Sequence, residues 1–551
     1  MTATGREWWR DAVVYQIYIR SFADGNGDGV GDIDGIRSRL PYLQALGVDA
    51  IWITPWYPSP LVDGGYDVAD YRDIHPSFGT LADGKALLDD AHGLGLRVIA
   101  DIVPNHTSDR HAWFVEALAA EPGSPARSRY LFRDGPDGGS APPNDWRSAF
   151  GGPAWTRVTE PDGRPGQWYL HLFAPEQPDL DWINPEVRAE FESILRFWFD
   201  LGVDGFRIDV ASALAKSPAL PDLGYSDAEN GGAMLMPWDR DDHPHWDVEA
   251  VHDIYRDWRE IGDGYDGRMF VAEAIVGPPD RLAPYVRRDT LHTAFNFAFM
   301  HAPWDAAALR SVIDDTLGAL GAVGAPAIWL LSSHDETRHL TRYGRADTRV
   351  QGLARERVQP VDLELGERRA RAALLLMLAL PGGAYLYQGE ELGLRQVENL
   401  PDDALQDPAW TRSGGDVRGR DGCRVPIPWS GQEPPFGFGP PGSTPWLPQP
   451  AEWRVFTAEA EADDPGSMLA LYREALRTRR DQPGFAGEPF RWLDAPGDVL
   501  HFERGAGLRC AVNFAAEPFA LPVEGRVLLA STPLAGRVLE QDTAAWFTAG
   551  A

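Results

Sequence analysis

Runs of β-forming residues alternate with helical patterns along most of this chain. The runs lie at residues 13–22, 50–55, 97–106, 205–210, 269–275, 292–299, 327–338 and 384–388. Between them, apolar residues recur at helical spacing, most clearly at residues 36–46, 82–94, 186–201, 304–320 and 367–380. Because strands that alternate with helices form parallel sheets, eight repeats predict an α/β chain built on a (β/α)8 TIM barrel.

Three further segments do not fit the repeat, since a barrel needs about 250 residues and the chain has 551. Residues 108–170 are rich in Gly, Pro, Asp and Trp, and predict a small domain inserted after strand 3, over the barrel mouth. Residues 395–453 predict a long loop after the eighth strand. Short β runs near the end predict a C-terminal antiparallel β domain. The predicted domains are the barrel at 1–107 and 171–484, the insertion at 108–170 and the β domain at 485–551.

Charge and cysteine content limit the partners of the chain. The 51 basic and 82 acidic side chains give a net charge of −31, which argues against nucleic acid or an anionic membrane as a partner. Only two cysteines occur, and the first residues show no apolar segment of a signal peptide. No stretch has the apolar length of a membrane span. We therefore expect a cytoplasmic protein, a monomer or small homo-oligomer, that acts on a small neutral molecule.

Four of the predicted strands end in polar, chemically active residues. They read RVIADIVPNH, GFRIDV, MFVAEAI and AIWLLSSHDETR. In GFRIDV, Arg207 and Asp209 alternate with Phe206 and Ile208, so the two charged side chains point to one side. A carboxylate held by an arginine at the mouth of a barrel can act as a nucleophile. An isolated R-x-D would indicate a structural ion pair, but here three similar strands accompany it.

Taken in order, these four segments resemble the motif set of the α-amylase superfamily, glycoside hydrolase family thirteen. The resemblance implies a retaining glycosidase in which Asp209 is the nucleophile and Glu273 the general acid/base. It also implies roles in sugar binding or charge stabilisation for Asp335, Arg207, His106 and His334. A carboxyl on an apolar strand is partly desolvated, which raises its pKa and suits Glu273 to donate a proton.

Other segments resemble the oligo-1,6-glucosidase and α-glucosidase branch of that family. QPDLDW at residues 177–182 resembles the signature QPDLN, although Asp181 departs from its last letter. Two other motifs also depart from the branch: Ser333 stands where the branch usually has asparagine, and Val425 stands where it has threonine. DGGY and RDGCRVP resemble further branch motifs, and so do FGG and HLFAPEQ. The pocket residues that these motifs imply are Asp63, Tyr66, Phe150, Phe173 and Arg424. In this branch the aspartate and the arginine close the pocket, which implies exo-action on terminal glucose.

The linkage that is cleaved depends on residues beside the nucleophile. In the resembling branch, valine after the nucleophile accompanies α-1,6 activity, so Val210 predicts activity on α-1,6 as well as α-1,4 links. Core packing is the alternative role for this residue. A glucosyl-transferring or sucrose-isomerising relative would share every catalytic residue, but isomerases carry R-L-D-R-D where this chain has RYGRAD from Arg342. A non-catalytic, transporter-associated relative would need a membrane span and would lack catalytic carboxylates.

A loop after the first strand alternates oxygen-bearing residues with glycine. It reads DGNGDGVGD from Asp24 to Asp32. Hard cations take several oxygen ligands on a tightly turning loop. The loop therefore predicts a structural Ca²⁺ site, with Mg²⁺ as the alternative ion, and the predicted ligands are Asp24, Asn26, Asp28, Asp32 and the carbonyl of Val30. A turn cluster without metal is the alternative.

Overall fold

The structure is a computed structural model, which describes residues 7–224, 242–349, 360–486 and 489–549. Its strands up to residue 387 are β1 (Val13–Ile17), β2 (Ala50–Ile53), β3 (Arg97–Ile102), β4 (Phe132–Arg133), β5 (Trp155–Thr159), β6 (Pro165–Leu170), β7 (Gly205–Ile208), β8 (Met269–Ala272), β9 (Thr293–Ala294), β10 (Ile328–Leu330) and β11 (Gly383–Tyr387). The longer helices are α1 (Ile33–Leu46), α2 (Leu81–Gly93), α3 (Ala112–Ala119), α4 (Pro185–Leu201), α5 (Val251–Asp263), α6 (Ala306–Val323), α7 (Leu363–Ala379) and α8 (Met468–Asp481).

Eight of these strands form one sheet in the order β10–β11–β1–β2–β3–β7–β8–β9. Every pairing in this sheet is parallel. The two edge strands, β9 and β10, are consecutive in the chain, so the sheet curls into a nearly closed barrel. The predicted (β/α)8 barrel is therefore confirmed, and the carboxyl ends of its strands meet at one rim.

Local sequence explains why the helix before β7 begins and ends where it does. The Asn184 side chain accepts a hydrogen bond from the amide of Glu186, and Pro185 occupies the first turn. Gly202 ends α4 at a φ of 122°, which a residue with a side chain rarely adopts. The predicted apolar face is buried against the barrel, and its members are Val187, Phe191, Ile194, Leu195 and Trp198.

Two smaller sheets lie outside the barrel. Strands β4, β6 and β5 form an antiparallel sheet in the segment after β3. The C-terminal strands are β12 (Arg491–Trp492), β13 (Val499–Arg504), β14 (Leu508–Asn513), β15 (Phe519–Ala520), β16 (Val527–Ala530), β17 (Val538–Leu539) and β18 (Thr543–Thr548). Five of them form an antiparallel sheet in the order β12–β13–β14–β18–β16. Trp546 joins this sheet to the barrel by donating to the carbonyl of Leu375 at 2.9 Å. An inserted and a C-terminal β unit are therefore present, as expected.

Several elements are shorter than the sequence predicts. The run at 292–299 gives only the two residues of β9, because Asn296 then caps a short helix, Phe297–His301. The loop at 395–453 contains short helical turns, including Pro408–Arg412.

Among the described residues, no helix has both the length and the apolar character needed to cross a membrane.

Candidate active site

Asp209 and Glu273 are brought together by the register of two neighbouring strands. Each is the first residue after its strand, β7 or β8. Parallel pairing places Ile208 beside Ala272, and the amide of Glu273 donates to the carbonyl of Ile208 at 3.0 Å. Consecutive strand ends therefore direct both carboxyls into the same space at the barrel rim.

One guanidinium binds three carboxylates at the centre of this space. Arg207 Nη1 lies 2.7 Å from Asp209 Oδ1 and 3.0 Å from Asp101 Oδ1, and Nη2 lies 2.7 Å from Glu273 Oε1. The arginine side chain is only 1% exposed. The arginine thus fixes the orientation of the Asp209 and Glu273 carboxyls.

Burial dominates the ionisation of this cluster. Burial raises the pKa of Asp209 and of Glu273, and Arg207 lowers both without cancelling the effect. It likewise raises the pKa of Asp101, to about 7. Burial therefore opposes the ionisation of all three carboxyls around this guanidinium. The raised pKa of Glu273 agrees with its expected role as an acid. For Asp209, burial outweighs Arg207, so the pKa is raised although the arginine favours the ionised form.

Asp335 lies in the opposite electrostatic environment. Its Oδ1 accepts from Arg420 at 3.0 Å and from Arg424 at 2.9 Å, and its Oδ2 lies 3.1 Å from His334 Nε2. Burial raises the pKa of Asp335, but the histidine and the two arginines outweigh burial and hold that pKa well below its usual range. The His334 ring stacks on Tyr66, with ring centres 5.3 Å apart. Asp335 is therefore held in its ionised form between two arginines.

One wall of the site is formed by the inserted segment with the residues that follow it, and by the loop after β2. Asp63 Oδ1 lies 2.6 Å from Arg420 Nη2, and Asp63 Oδ2 accepts from Gln177 Nε2 at 3.2 Å. That amide nitrogen also lies 3.1 Å from His106 Nε2. Phe173 packs against the ring of His106 at 5.2 Å and against Phe150 at 5.8 Å. The twelve predicted catalytic and sugar-binding residues therefore lie around one site.

Three partners in this site were missed by reasoning from sequence. Arg420 is the first arginine of RDGCRVP, the motif from which only Arg424 was selected, and it contacts Asp63, Asp335 and Asp407. Gln177 begins QPDLDW, which was used only as a branch signature. Asp101 shares β3 with apolar residues, and its inward alternation was the available signal.

Val210 adopts an unusual backbone conformation beside Asp209. Its φ is 46°, in the left-handed region that β-branched residues avoid. In this conformation its amide donates to Glu273 Oε2 at 2.8 Å. Its side chain is buried in an apolar cluster with residues that include Trp146 and Leu172. The residue therefore contributes both to core packing and to the placement of Glu273.

The predicted metal loop is shaped by its own hydrogen bonds. Asp24 accepts from the amides of Gly27 and Gly29, and Asp32 caps α1 by accepting from Gly35. Gly29 has a φ of 90°, and a side chain there would lie 2.1 Å from the Thr444 carbonyl, so close packing also requires glycine. Carboxylate, amide and carbonyl oxygens remain a donor set that suits a hard cation. Among the residues described, no group of three or more His, Cys, Asp and Glu side chains is arranged to hold a metal.

Comparison with known protein families covers nearly the whole chain. The family described as "Alpha amylase, catalytic domain" matches residues 16–486, and one described as a domain of unknown function matches residues 490–546. A probable alpha-glucosidase of Rhizobium meliloti is 38% identical over 93% of this chain and 90% of its own length. An oligo-1,6-glucosidase of Parageobacillus thermoglucosidasius is 35% identical over 86% of this chain and 84% of its own.

Solved structures agree with this assignment. The alpha-glucosyl transfer enzyme XgtA superposes with a TM-score of 0.84 at 34% identity, covering 99% of this chain and 100% of its own. A mutant isomaltulose synthase of Erwinia rhapontici in complex with sucrose gives 0.84 at 30% identity, covering 100% of both chains. The motifs, the barrel and these matches agree, and the chain belongs to the α-amylase family, glycoside hydrolase family thirteen.

Proposed function

We propose that the protein is a retaining exo-α-glucosidase that releases terminal glucose from short α-glucosides of the maltose and isomaltose type. The observation that carries this proposal is that Asp209 and Glu273 bind the two terminal nitrogens of one guanidinium, that of Arg207. In retaining glycosidases the two carboxyls stand about 5 Å apart, whereas inverting enzymes leave room for a water between them. Carboxyls that share one guanidinium leave no such room, so attack by the carboxylate itself is favoured.

In the first step, an Asp209 carboxylate oxygen attacks the anomeric carbon of the terminal glucose. The bond from that carbon to the glycosidic oxygen breaks, and Glu273 gives its proton to the departing oxygen. Glu273 is suited to supply this proton, because burial raises its pKa. Asp335, held ionised by Arg420 and Arg424, stabilises the positive charge that develops on the sugar ring.

In the second step, water replaces the departed group. Glu273, now a carboxylate, accepts a proton from the water as its oxygen attacks the anomeric carbon. The bond to Asp209 breaks and its carboxylate is restored. Two inversions at one carbon give net retention, so α-glucose is the first product.

Exo-action follows from the closed wall of the site. The Asp63–Arg420–Asp335 chain of contacts closes the site beyond His334 and Tyr66. A neutral glucose with free hydroxyls can hydrogen-bond to these charged groups, whereas a further sugar unit would have to displace a buried ion pair. The proposed enzyme therefore removes one terminal glucose in each event.

Glucosyl transfer or sucrose isomerisation is the second candidate, because XgtA and the isomaltulose synthase share this fold. In the segment that distinguishes isomerases, Arg342 is turned inward and donates to the carbonyls of Ala302 at 3.3 Å and Thr348 at 3.0 Å. Its charge therefore holds the backbone rather than a bound sugar, which favours hydrolysis. The transporter-associated, non-catalytic candidate has no support, because the catalytic carboxyls are kept and assembled.

Two accessory features complete the proposal. Asp24, Asn26, Asp28, Asp32 and the Val30 carbonyl would hold a Ca²⁺ ion that stabilises the loop and takes no part in the chemistry. A cytoplasmic location is proposed because both cysteines, Cys423 and Cys510, are free thiols.

A panel of maltose, isomaltose, sucrose, trehalose and p-nitrophenyl α-glucoside tests the proposal. We expect glucose from maltose and isomaltose, with the α-anomer appearing first by proton NMR. Accumulation of trehalulose or isomaltulose from sucrose, with little free glucose, would instead support the isomerising candidate. Initial release of β-glucose would rule out retention.

A further inference from the structure

Lys216 places a buried ammonium group behind the sugar-binding histidine. The side chain is 3% exposed, and Nζ lies 2.7 Å from Asp179 Oδ2 and 2.7 Å from Asn105 Oδ1. Lys216 follows β7, Asn105 follows β3, and Asp179 belongs to the QPDLDW segment. None of the three side chains faces the reacting carboxyls, so the proposed mechanism does not use them directly.

The chemistry of these groups fixes the orientation of the Asn105 amide. An ammonium group only donates hydrogen bonds, so the amide oxygen of Asn105 must face Lys216. An ionised carboxylate only accepts, so the amide nitrogen must face Asp179, which lies 3.2 Å away. The second hydrogen of that nitrogen is directed at His106 Nδ1, at 3.1 Å. In the reversed orientation the amide nitrogen would face the Lys216 ammonium, donor against donor, and the amide oxygen would face the Asp179 carboxylate, acceptor against acceptor.

The orientation of the amide determines the proton position on His106. If Asn105 donates to Nδ1, then Nδ1 must be unprotonated, and the single ring proton of a neutral imidazole lies on Nε2. Burial favours the neutral ring and lowers the pKa of His106 to about 4. The Nε2 atom lies 3.1 Å from the carbonyl of Tyr66, an acceptor that requires this tautomer.

One contact on the other side of the ring opposes the same tautomer. Gln177 Nε2 lies 3.1 Å from His106 Nε2, and the amide of Gln177 is itself fixed, because its oxygen accepts from Ala174 and its nitrogen donates to Asp63. Gln177 would favour a proton on Nδ1, with Nε2 as an acceptor. The Nε2–H tautomer satisfies two contacts of the ring, with Asn105 at Nδ1 and with the Tyr66 carbonyl at Nε2, whereas the Nδ1–H tautomer satisfies only the contact with Gln177.

We propose that Lys216 is a positioning residue that, through Asn105 and Asp179, holds the His106 proton on Nε2, where it faces the Tyr66 carbonyl in the free protein and is shared with a sugar hydroxyl once glucose is bound. The inference rests on the proposed function only in its last clause, the contact with sugar. Asp179 also joins the inserted segment to the barrel, since it exchanges backbone hydrogen bonds with Leu131 and Leu170 of that segment and pairs with His106 in a β-bridge. Placement of the insertion and the tautomer of the histidine are thereby linked.

The direct test exchanges the amide and the carboxylate, in the double variant Asn105→Asp with Asp179→Asn. The exchange keeps one carboxylate beside Lys216 and leaves the net charge of the cluster unchanged. The residue beside Nδ1 now accepts instead of donating, which requires the proton on Nδ1. The readout is the ¹⁵N spectrum of histidine-labelled protein, in which protonated and unprotonated ring nitrogens differ, with His106→Gln to identify the signal.

We expect the Nε2–H form in the unsubstituted protein and the Nδ1–H form in the exchanged variant. With maltose, the exchange should lower kcat/KM by about tenfold or more, the value of a lost hydrogen bond to substrate, while the melting temperature changes little. Asn184→Asp is the matched control: it makes the same chemical change at the cap of α4 and should leave the His106 signal and kcat/KM unchanged. Lys216→Met removes the donor that fixes the Asn105 amide, so the Nε2–H form should no longer be held. Lys216→Arg keeps a charged donor at this position and should restore the Nε2–H form.

The Nδ1–H form in the unsubstituted protein would overturn the proposal, because Gln177 would then set the tautomer. An exchanged variant with an unaltered tautomer, or with an altered tautomer and full activity, would also overturn it. The spectrum requires no substrate, so failure of the proposed glucosidase activity and failure of this inference are separate results.

Discussion

Arg420 binds Asp63 at 2.6 Å although 357 positions separate them in the chain. The same guanidinium reaches Asp335 at 3.0 Å and Asp407 at 2.5 Å. A loop after the second strand and a loop after the last strand of the barrel thus meet in one buried group of charges. Because a guanidinium presents its donors in a fixed fork, a single side chain can close the wall in this way.

Arg420→Lys should therefore lower kcat/KM for maltose by about tenfold or more, since an ammonium cannot reach three carboxylates at once. The matched control is Arg418→Lys, because Arg418 lies nearby and pairs with Asp402 at the surface, where ion pairs contribute little. Steady-state kinetics on both variants, with melting temperatures, checks this. Equal losses in the two variants would show that Arg420 has no special role in the pocket.

Asp209→Asn and Glu273→Gln should each reduce turnover of maltose by about a hundredfold or more. Each substitution keeps the shape of the side chain and removes a charge or a proton. Glu273→Gln should spare p-nitrophenyl α-glucoside in its first step, because a nitrophenolate leaves without an acid. Asp257→Asn, an exposed residue that pairs with Arg188, is the control. A Glu273→Gln defect of equal size in the bond-breaking step on both substrates would contradict the acid role.

The barrel was predictable from sequence because the alternation of buried strands and amphipathic helices is a local pattern. Helix α4 shows this well: its five apolar residues are spaced so that only a helix buries them together. The convergence of Asp209 and Glu273 was also predictable, since each follows a strand and strand ends converge. The domain boundaries remain predictions.

The contacts of the site were less predictable, because they depend on loops that meet only in the folded chain. Arg424 was expected to close the pocket with Asp63, but Arg420 is the residue that contacts Asp63. Both arginines lie in one short motif, and only the path of the folded loop decides which of them reaches Asp63. The pKa of Asp209 is a similar case: Arg207 was selected from the sequence and Asp101 was overlooked, whereas the depth of burial exists only in the folded chain.

Removal of Ca²⁺ with a chelator should lower the melting temperature while leaving initial rates at low temperature almost unchanged. The reason is that Asp24 and Asp32 lie in the loop that precedes α1 and not among the reacting groups. Asp28→Ala should abolish the difference between chelated and Ca²⁺-loaded protein, whereas Asp34→Ala, outside the predicted ligand set, should keep it. A melting temperature that does not respond to Ca²⁺ would favour the metal-free turn cluster.

Stability should fall as the pH rises from about 4.5 towards 8 because of Glu390. Burial raises the pKa of this carboxyl from 4.5 to about 8, so the folded state binds a proton that the unfolded chain has released. Its stabilising effect is complete below the unfolded pKa and is lost as the pH rises through the folded pKa, at ~1.4 kcal/mol per pH unit in this window. Melting curves of Glu390→Gln should show a weaker dependence on pH. Glu433→Gln, at an exposed position, should behave as the unsubstituted protein does.

Val210→Thr should lower isomaltose hydrolysis relative to maltose hydrolysis by about tenfold, a difference of the size that single pocket contacts give. The backbone of Val210 places its amide on Glu273, and threonine has the same shape, so the acid should stay in position. A threonine hydroxyl would add a hydrogen-bonding group beside the acid/base, which can favour one fixed orientation of the second sugar over the flexible α-1,6 link. The measurement is the ratio of the two kcat/KM values. Val210→Ala controls for packing, because it removes bulk from the apolar cluster without adding a hydroxyl. If both variants lose the two activities in parallel, the role of Val210 lies in packing and in holding Glu273, and another residue sets the linkage.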